Sequence, residues 1–195
     1  MTNEIVEKYF DSLAGEWDSY QECPADIKRA LLGKIGIERG ARVLDVACGT
    51  GAITEELHDL TGEKVKAIDI SSEMIKVARR KFAGCDWAEF ENVDFFDMRE
   101  DCVFDAIVIY NAYPHFMDVS ALRDKAYSLL KEGGRLAIVH SIGRNCLNSH
   151  HKQHAMHVSR MIGAPLEEAK SFAPLFAVQL AEEDDEHYLL VLKKK

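Results

Sequence analysis

Three carboxylates and a glycine loop are where this sequence first suggests chemistry. Asp45 opens the run Asp45-Val-Ala-Cys-Gly49-Thr-Gly51, Asp69 closes a second apolar run, and Asp94 lies just past a third with Phe95 beside it. Glycines at such a turn let the backbone approach a ligand that a Cβ would hold away. A helix begun behind the loop presents N–H groups with no partner of their own. An acid in the position of Asp69 can accept both hydrogen bonds of a ribose diol. Asp94 can accept from an exocyclic amine such as N6 of adenine. Asp45 narrows the choice of cofactor, because a carboxylate inside the loop repels a diphosphate and suits an ammonium and a sulfonium. The stretch Gly49-Thr-Gly51-Ala-Ile-Thr54 also lacks the third glycine of G-x-G-x-x-G, which argues against a pyrophosphate dinucleotide.

A second group of reactive side chains lies further along. Tyr110, Tyr113 and His115 end or follow one apolar run, and His140 ends the next. They are candidate bases or orienters for a proton on an acceptor; each could equally be a packed aromatic or a bonded core histidine. The segment 141–163 carries Arg144, Cys146, His150, His151, His154 and His157, some at the spacing of helix neighbours. A metal site can be drawn from them, but nothing fixes the carboxylate or thiolate that would complete it. An anion-binding lid and a plain amphipathic connector are the other readings. The segment is longer than the joint of about 2–6 residues usual in such folds, which favours a lid. In that reading Arg144, His150, His151 and His154 meet the acceptor, and Tyr9, Trp17 and Tyr20 cover it from the N-terminal side.

The elements that must position these groups alternate. Arg42–Ala47, Lys64–Asp69, Trp87–Val93, Phe104–Tyr110 and Arg135–His140 read as strands, with helical stripes between them such as Met74, Ile75, Ala78 and Phe82. That alternation predicts an α/β fold with a parallel sheet covered by helices on both faces. Asp118 can cap a helix through Leu130, after which Gly133-Gly134 would permit the turn into the next strand. Leu175–Leu180 and Tyr188–Leu192 read as strands, and the acidic joint between them is too short for a crossover helix, so they must be antiparallel. The expected fold is a Rossmann-like, seven-stranded, mostly parallel sheet with a C-terminal antiparallel hairpin.

Taken together, VLDVACGTG (Val43–Gly51), AIDIS (Ala67–Ser71), the segment Phe90–Phe95, FDAIVIYNAYPHF (Phe104–Phe116) and LLKEGGRLAIVH (Leu129–His140) resemble the motifs of class I S-adenosylmethionine-dependent methyltransferases. The resemblance covers about residues 40–140 tightly and the terminal hairpin loosely. It implies S-adenosyl-L-methionine as cofactor. It also implies that Asp45, Ala47, Gly49, Thr50 and Gly51 contact its methionine and ribose side, and that Asp69 holds the ribose hydroxyls. Ile70 and Met74 would flank the adenine, Asp94 and Phe95 would meet its edge, and Tyr110 and Asn111 would lie beneath the cofactor. Ala47 stands where the family often has glycine. Methyl transfer from a sulfonium needs alignment of the acceptor and at most removal of its proton, so Tyr113, His115 and His140 are the catalytic candidates.

Composition bounds the rest. The chain has 195 residues, which suits a single domain: a helical cap at 1–40, the cofactor-binding core at 41–140, a lid at 141–163, and a terminal helix and hairpin at 164–195. A formal charge of −9 opposes nucleic-acid binding, and the five scattered cysteines form neither a disulfide framework nor a zinc ribbon. With no apolar run long enough to span a bilayer and no leader at the N-terminus, the expected location is cytoplasmic. The absence of an added recognition domain points to a small-molecule acceptor, handled by a monomer or homodimer. The alternative is a cofactor-binding partner or sensor subunit of the same fold that performs no catalysis.

Overall fold

The computed structural model describes residues 3–20 and 23–195. Apolar runs form the strands β1 (Val43–Val46), β2 (Val65–Asp69), β3 (Ala88–Asn92), β4 (Phe104–Tyr110) and β5 (Leu130–His140), all parallel to one another. Of the last two, β6 (Phe176–Glu183) and β7 (Tyr188–Lys194), β7 runs antiparallel to both β5 and β6. The sheet has seven strands in the order β3-β2-β1-β4-β5-β7-β6, so β7 is inserted between β5 and β6. The joint before β7 turns tightly because Asp184 Oδ1 accepts from the N–H groups of Glu186 and His187, each at 2.8 Å.

Helices α1 (Asn3–Leu13), α2 (Trp17–Tyr20) and α3 (Ala25–Gly33) precede β1, and α4 (Thr54–Thr61), α5 (Ser72–Lys81) and α6 (Val119–Leu129) lie between the strands. Farther on come α7 (Arg144–His154) and α8 (Pro165–Ala169). Because β1 and β4 are each buried along almost their whole length, alternate residues feed two cores. Leu44, Val46, Ile107 and Ile109 face one, whereas Val43, Ala106 and Val108 face the other with Leu57 and Leu32. Ser71 and Asp118 cap α5 and α6 by accepting from Met74 N and Ala121 N.

Two expectations about glycines change. The helix before β5 ends at Leu129, one residue before the expected Leu130, but Gly133-Gly134 make no turn after it, since Leu130 already pairs with Phe104. The glycines sit inside β5, where the register shifts between Phe104 and Ala106, and a Cβ on Gly134 would stand 2.9 Å from the Lys131 carbonyl. Gly51 is needed for packing and conformation together: its φ is +84°, and a Cβ there would lie 2.6 Å from Phe82 Cε2 and 3.2 Å from Phe90 Cζ. Gly51→Ala should destabilise the fold by more than about 2 kcal/mol, since it combines a left-handed backbone with overpacking. Urea unfolding is the check, and an unchanged midpoint would refute this account.

Candidate active site: two adjoining cavities

The strand order reverses between β1 and β4, and a crevice opens there beyond the carboxyl ends of the strands. Its walls are the β1 loop, the ends of β2 and β4, and the residues after β3. The loop is built from left-handed residues: Ala47 (φ +55°), Gly49 (+55°) and Gly51 (+84°). For alanine that conformation costs about 1–2 kcal/mol, held at the wall of the crevice.

Asp45 is buried at the base of the crevice. Its Oδ2 accepts from Thr54 Oγ1 at 2.8 Å, while Oδ1 has no partner. Burial, with Asp69 and Glu56 nearby, pushes its carboxyl up to about 7. Asp69 accepts from Gly49 N and Ser71 N, both at 2.8 Å, and burial raises it to about 6. Asp94 Oδ1 accepts from Phe96 N at 2.9 Å, and its Oδ2 accepts from the Asn3 amide.

Of the residues expected at the cofactor, Asp45, Ala47, Gly49, Asp69, Ile70, Met74, Asp94, Phe95, Tyr110 and Asn111 line this crevice together. Thr50 and Gly51 do not. Thr50 Oγ1 donates to Asp18, and Gly51 packs beneath Phe82. Sequence reasoning placed the N-terminal helices over the acceptor but missed Asn3, Val6 and Phe10, which α1 supplies to the wall of this crevice. Asp11 anchors that helix by accepting from Ser71 Oγ (2.6 Å) and Glu73 N (3.1 Å) at the start of α5. The signal existed in the amphipathic pattern of α1, but nothing local says which surface its apolar face meets.

A second cavity of ≈ 840 Å³ adjoins the first, and Phe10, Trp17, Asn111 and His115 line both. Its walls come from α1 to α3, the loop after β5 and helix α7. Tyr9, Trp17, Tyr20, His150, His151 and His154 all reach it. The segment 141–163 thus walls this cavity and leaves the first untouched. It is fastened to the loop after β4: Arg160 N donates to the Pro114 carbonyl and the Val158 carbonyl bonds His115 Nδ1, both at 2.9 Å. Asn111 (φ +53°) and Ser141 exchange two hydrogen bonds that hold the loops after β4 and β5 together.

The three catalytic candidates separate. His115 stands at the junction of the cavities. A carbonyl only accepts, so Nδ1 carries the proton it gives to Val158 and Nε2 is left with its lone pair. Burial lowers its pKa to about 4 and keeps the ring neutral. Tyr113 lines neither cavity: its hydroxyl donates to Glu168 at 2.6 Å and Arg160 lies over its ring at 4.5 Å. His140 also lines neither. It is fully buried against Tyr188, and burial, with His151 and His115 near, lowers it to about 3. Arg144, expected at the acceptor, instead grips both oxygens of Glu183 at 2.7 and 3.2 Å. Among the described residues no three His, Cys, Asp or Glu side chains converge as a metal-binding set.

Asp69→Ala should weaken binding of an adenosyl ligand by about 1.5–3 kcal/mol, the range for hydrogen bonds to a charged group. Calorimetry with S-adenosylhomocysteine measures it, and unchanged affinity in a folded variant would remove Asp69 from the ribose site.

Comparison with known proteins identifies a methyltransferase domain. Residues 43–134 match the family model described as a methyltransferase domain. The ubiquinone/menaquinone biosynthesis C-methyltransferase UbiE of Pseudoalteromonas translucida is 32% identical over 148 residues, 69% of this chain and 58% of that protein. The chain spans about half the length of the curated relatives it matches. In structure it resembles a Haloferax volcanii chain solved with the methyltransferase activator Trm112 (TM-score 0.77, 19% identity, 95% and 97% of the two chains). It also resembles magnesium protoporphyrin IX methyltransferase of Synechocystis with bound S-adenosylhomocysteine (TM-score 0.72, 18% identity, 98% and 99%).

Proposed function

From the premise that this chain belongs to the class I S-adenosylmethionine-dependent methyltransferases, we propose that it transfers the methyl group to a small molecule held in the second cavity. The observation that carries the reading is Asp45: a fully buried carboxylate with one oxygen unpartnered calls for a cation in the crevice. The ammonium of S-adenosylmethionine is that cation, and a dinucleotide diphosphate would be repelled. In this reading Asp69 takes the ribose hydroxyls, and Ile70, Met74 and Phe95, which line the crevice, are the apolar slot for adenine. The cofactor supplies a sulfonium whose methyl group is an electrophile without any acid catalysis.

What remains for the protein is alignment and removal of a proton. His115 faces both cavities with a lone pair on Nε2 and is the base in this reading. A subunit that only bound the cofactor would have no use for a second cavity joined to the first at a neutral histidine.

The test follows S-adenosylhomocysteine production by the purified protein against a panel of small acceptors, alongside calorimetric binding of S-adenosylhomocysteine. Binding with transfer to at least one acceptor supports the proposal. Absence of S-adenosylhomocysteine binding would overturn it.

A further inference from the structure

The walls of the second cavity are specific about what they admit. On the N-terminal side stand the rings of Tyr9, Phe10, Trp17 and Tyr20, and opposite them the imidazoles of α7. Tyr20, Ile27 and Ile142, three large hydrophobic side chains left 62%, 46% and 37% exposed, all belong to this wall. An apolar surface of that kind has found its use when a ligand covers it.

Fixed positive charge is missing from the described lining, which holds no Lys or Arg. The two arginines of the surrounding segment are committed elsewhere, Arg144 to Glu183 and Arg160 to Glu168. The carboxylate in the lining, Glu186, would repel an anion. His115 and His151 are both kept neutral by burial, so they do not replace the absent cations. The other lining imidazoles, His150, His154 and His187, have no pair of parallel N–H groups, so the described lining lacks the bidentate fork that grips an anionic acceptor.

Resting on the methyl-transfer reading above, we infer that the acceptor is an uncharged, ring-bearing, largely apolar molecule that presents a weakly acidic hydroxyl of the phenol type to Nε2 of His115. The bond from Nδ1 to the Val158 carbonyl leaves Nε2 as an acceptor of hydrogen bonds only, so the group that meets it must carry a proton. In the reaction the acceptor oxygen forms its bond to the methyl carbon as the carbon–sulfur bond breaks. The electron pair of that bond stays on sulfur, and the hydroxyl proton passes to Nε2 and from there to water.

The two tryptophans allow a direct test. Trp87 stacks on His58, away from both cavities, whereas Trp17 lines each of them. In a Trp87→Phe protein saturated with S-adenosylhomocysteine, Trp17 fluorescence reports titration with 4-hexylphenol, 4-hexylanisole, 4-hexylbenzoate and 4-hexylphenyl phosphate. Calorimetry on the unmodified protein gives the same comparison should that variant fold poorly. The phenol should bind at least ~10-fold more tightly than the benzoate or phosphate, about one hydrogen bond's worth. It should also exceed the anisole, and His115→Phe should erase that margin. A benzoate or phosphate that binds as well as the phenol, or no phenol binding to a protein that holds S-adenosylhomocysteine, overturns the inference. These readouts need no turnover. Phenol binding without methyl transfer would keep the cavity assignment and sink the activity.

Discussion

With His115 replaced by asparagine, methyl transfer should fall by about 10²–10⁴-fold, the usual contribution of a positioned base. Asparagine carries an N–H where histidine has Nδ1, so the bond to the Val158 carbonyl that tethers the loop after β4 to segment 141–163 survives while the basic nitrogen is lost. Affinity for S-adenosylhomocysteine should change far less than turnover, because the crevice keeps its three aspartates. Single-turnover rates with calorimetry on the same preparation separate the two effects. A variant that turns over normally would transfer the role of base away from His115.

The pH at which this is measured matters. His115, His140 and His151 are lowered to about 4, 3 and 4, below the ordinary histidine value, so the unfolded chain takes up protons before the folded one does. Their contribution to stability is therefore complete above about pH 6.5 and is lost as pH falls toward 4. Rates taken near neutrality are free of this unfolding.

Asp45→Asn should move binding and stability in opposite directions. S-adenosylhomocysteine should bind about 1.5–3 kcal/mol less tightly, since its ammonium loses a charged partner. The ligand-free protein should nevertheless melt at a higher temperature. Asparagine has nearly the shape of aspartate and can still accept from Thr54 Oγ1, and it removes a buried charge beside Asp69 and Glu56. Because the folded-state value is raised to about 7, the cost of the charge is absent below about pH 4, grows as pH rises, and is complete above 7. The gain in melting temperature should follow the same course and vanish in acid. Wild-type affinity should also weaken below pH 7, where Asp45 must shed a proton to meet the ammonium; in the variant that dependence should flatten. Thermal melts and calorimetry from pH 5 to 8 decide it, and a variant less stable than wild type at pH 8 would refute the unpaired charge.

What the sequence determined by itself was whatever depends on neighbours in the chain. Apolar runs of strand length, the glycine loop and the acids at the strand ends specify the sheet and one side of the crevice, because a parallel βαβ sheet brings successive strand ends to one edge. Ala47, Asp69 and Asn111 reach the crevice for that reason. Tertiary structure decided the rest. Tyr113 and His115 are two residues apart, yet one is bound to Glu168 in the core and the other opens onto both cavities. Arg144 was available to an acceptor until the fold set Glu183, from β6, against it. Likewise α1 covers the crevice because Asp11 finds the start of α5, a partner 60 residues away in sequence. Such pairings join side chains whose proximity exists only after the sheet has formed, and local periodicity records which face of a helix is apolar without recording what that face will meet.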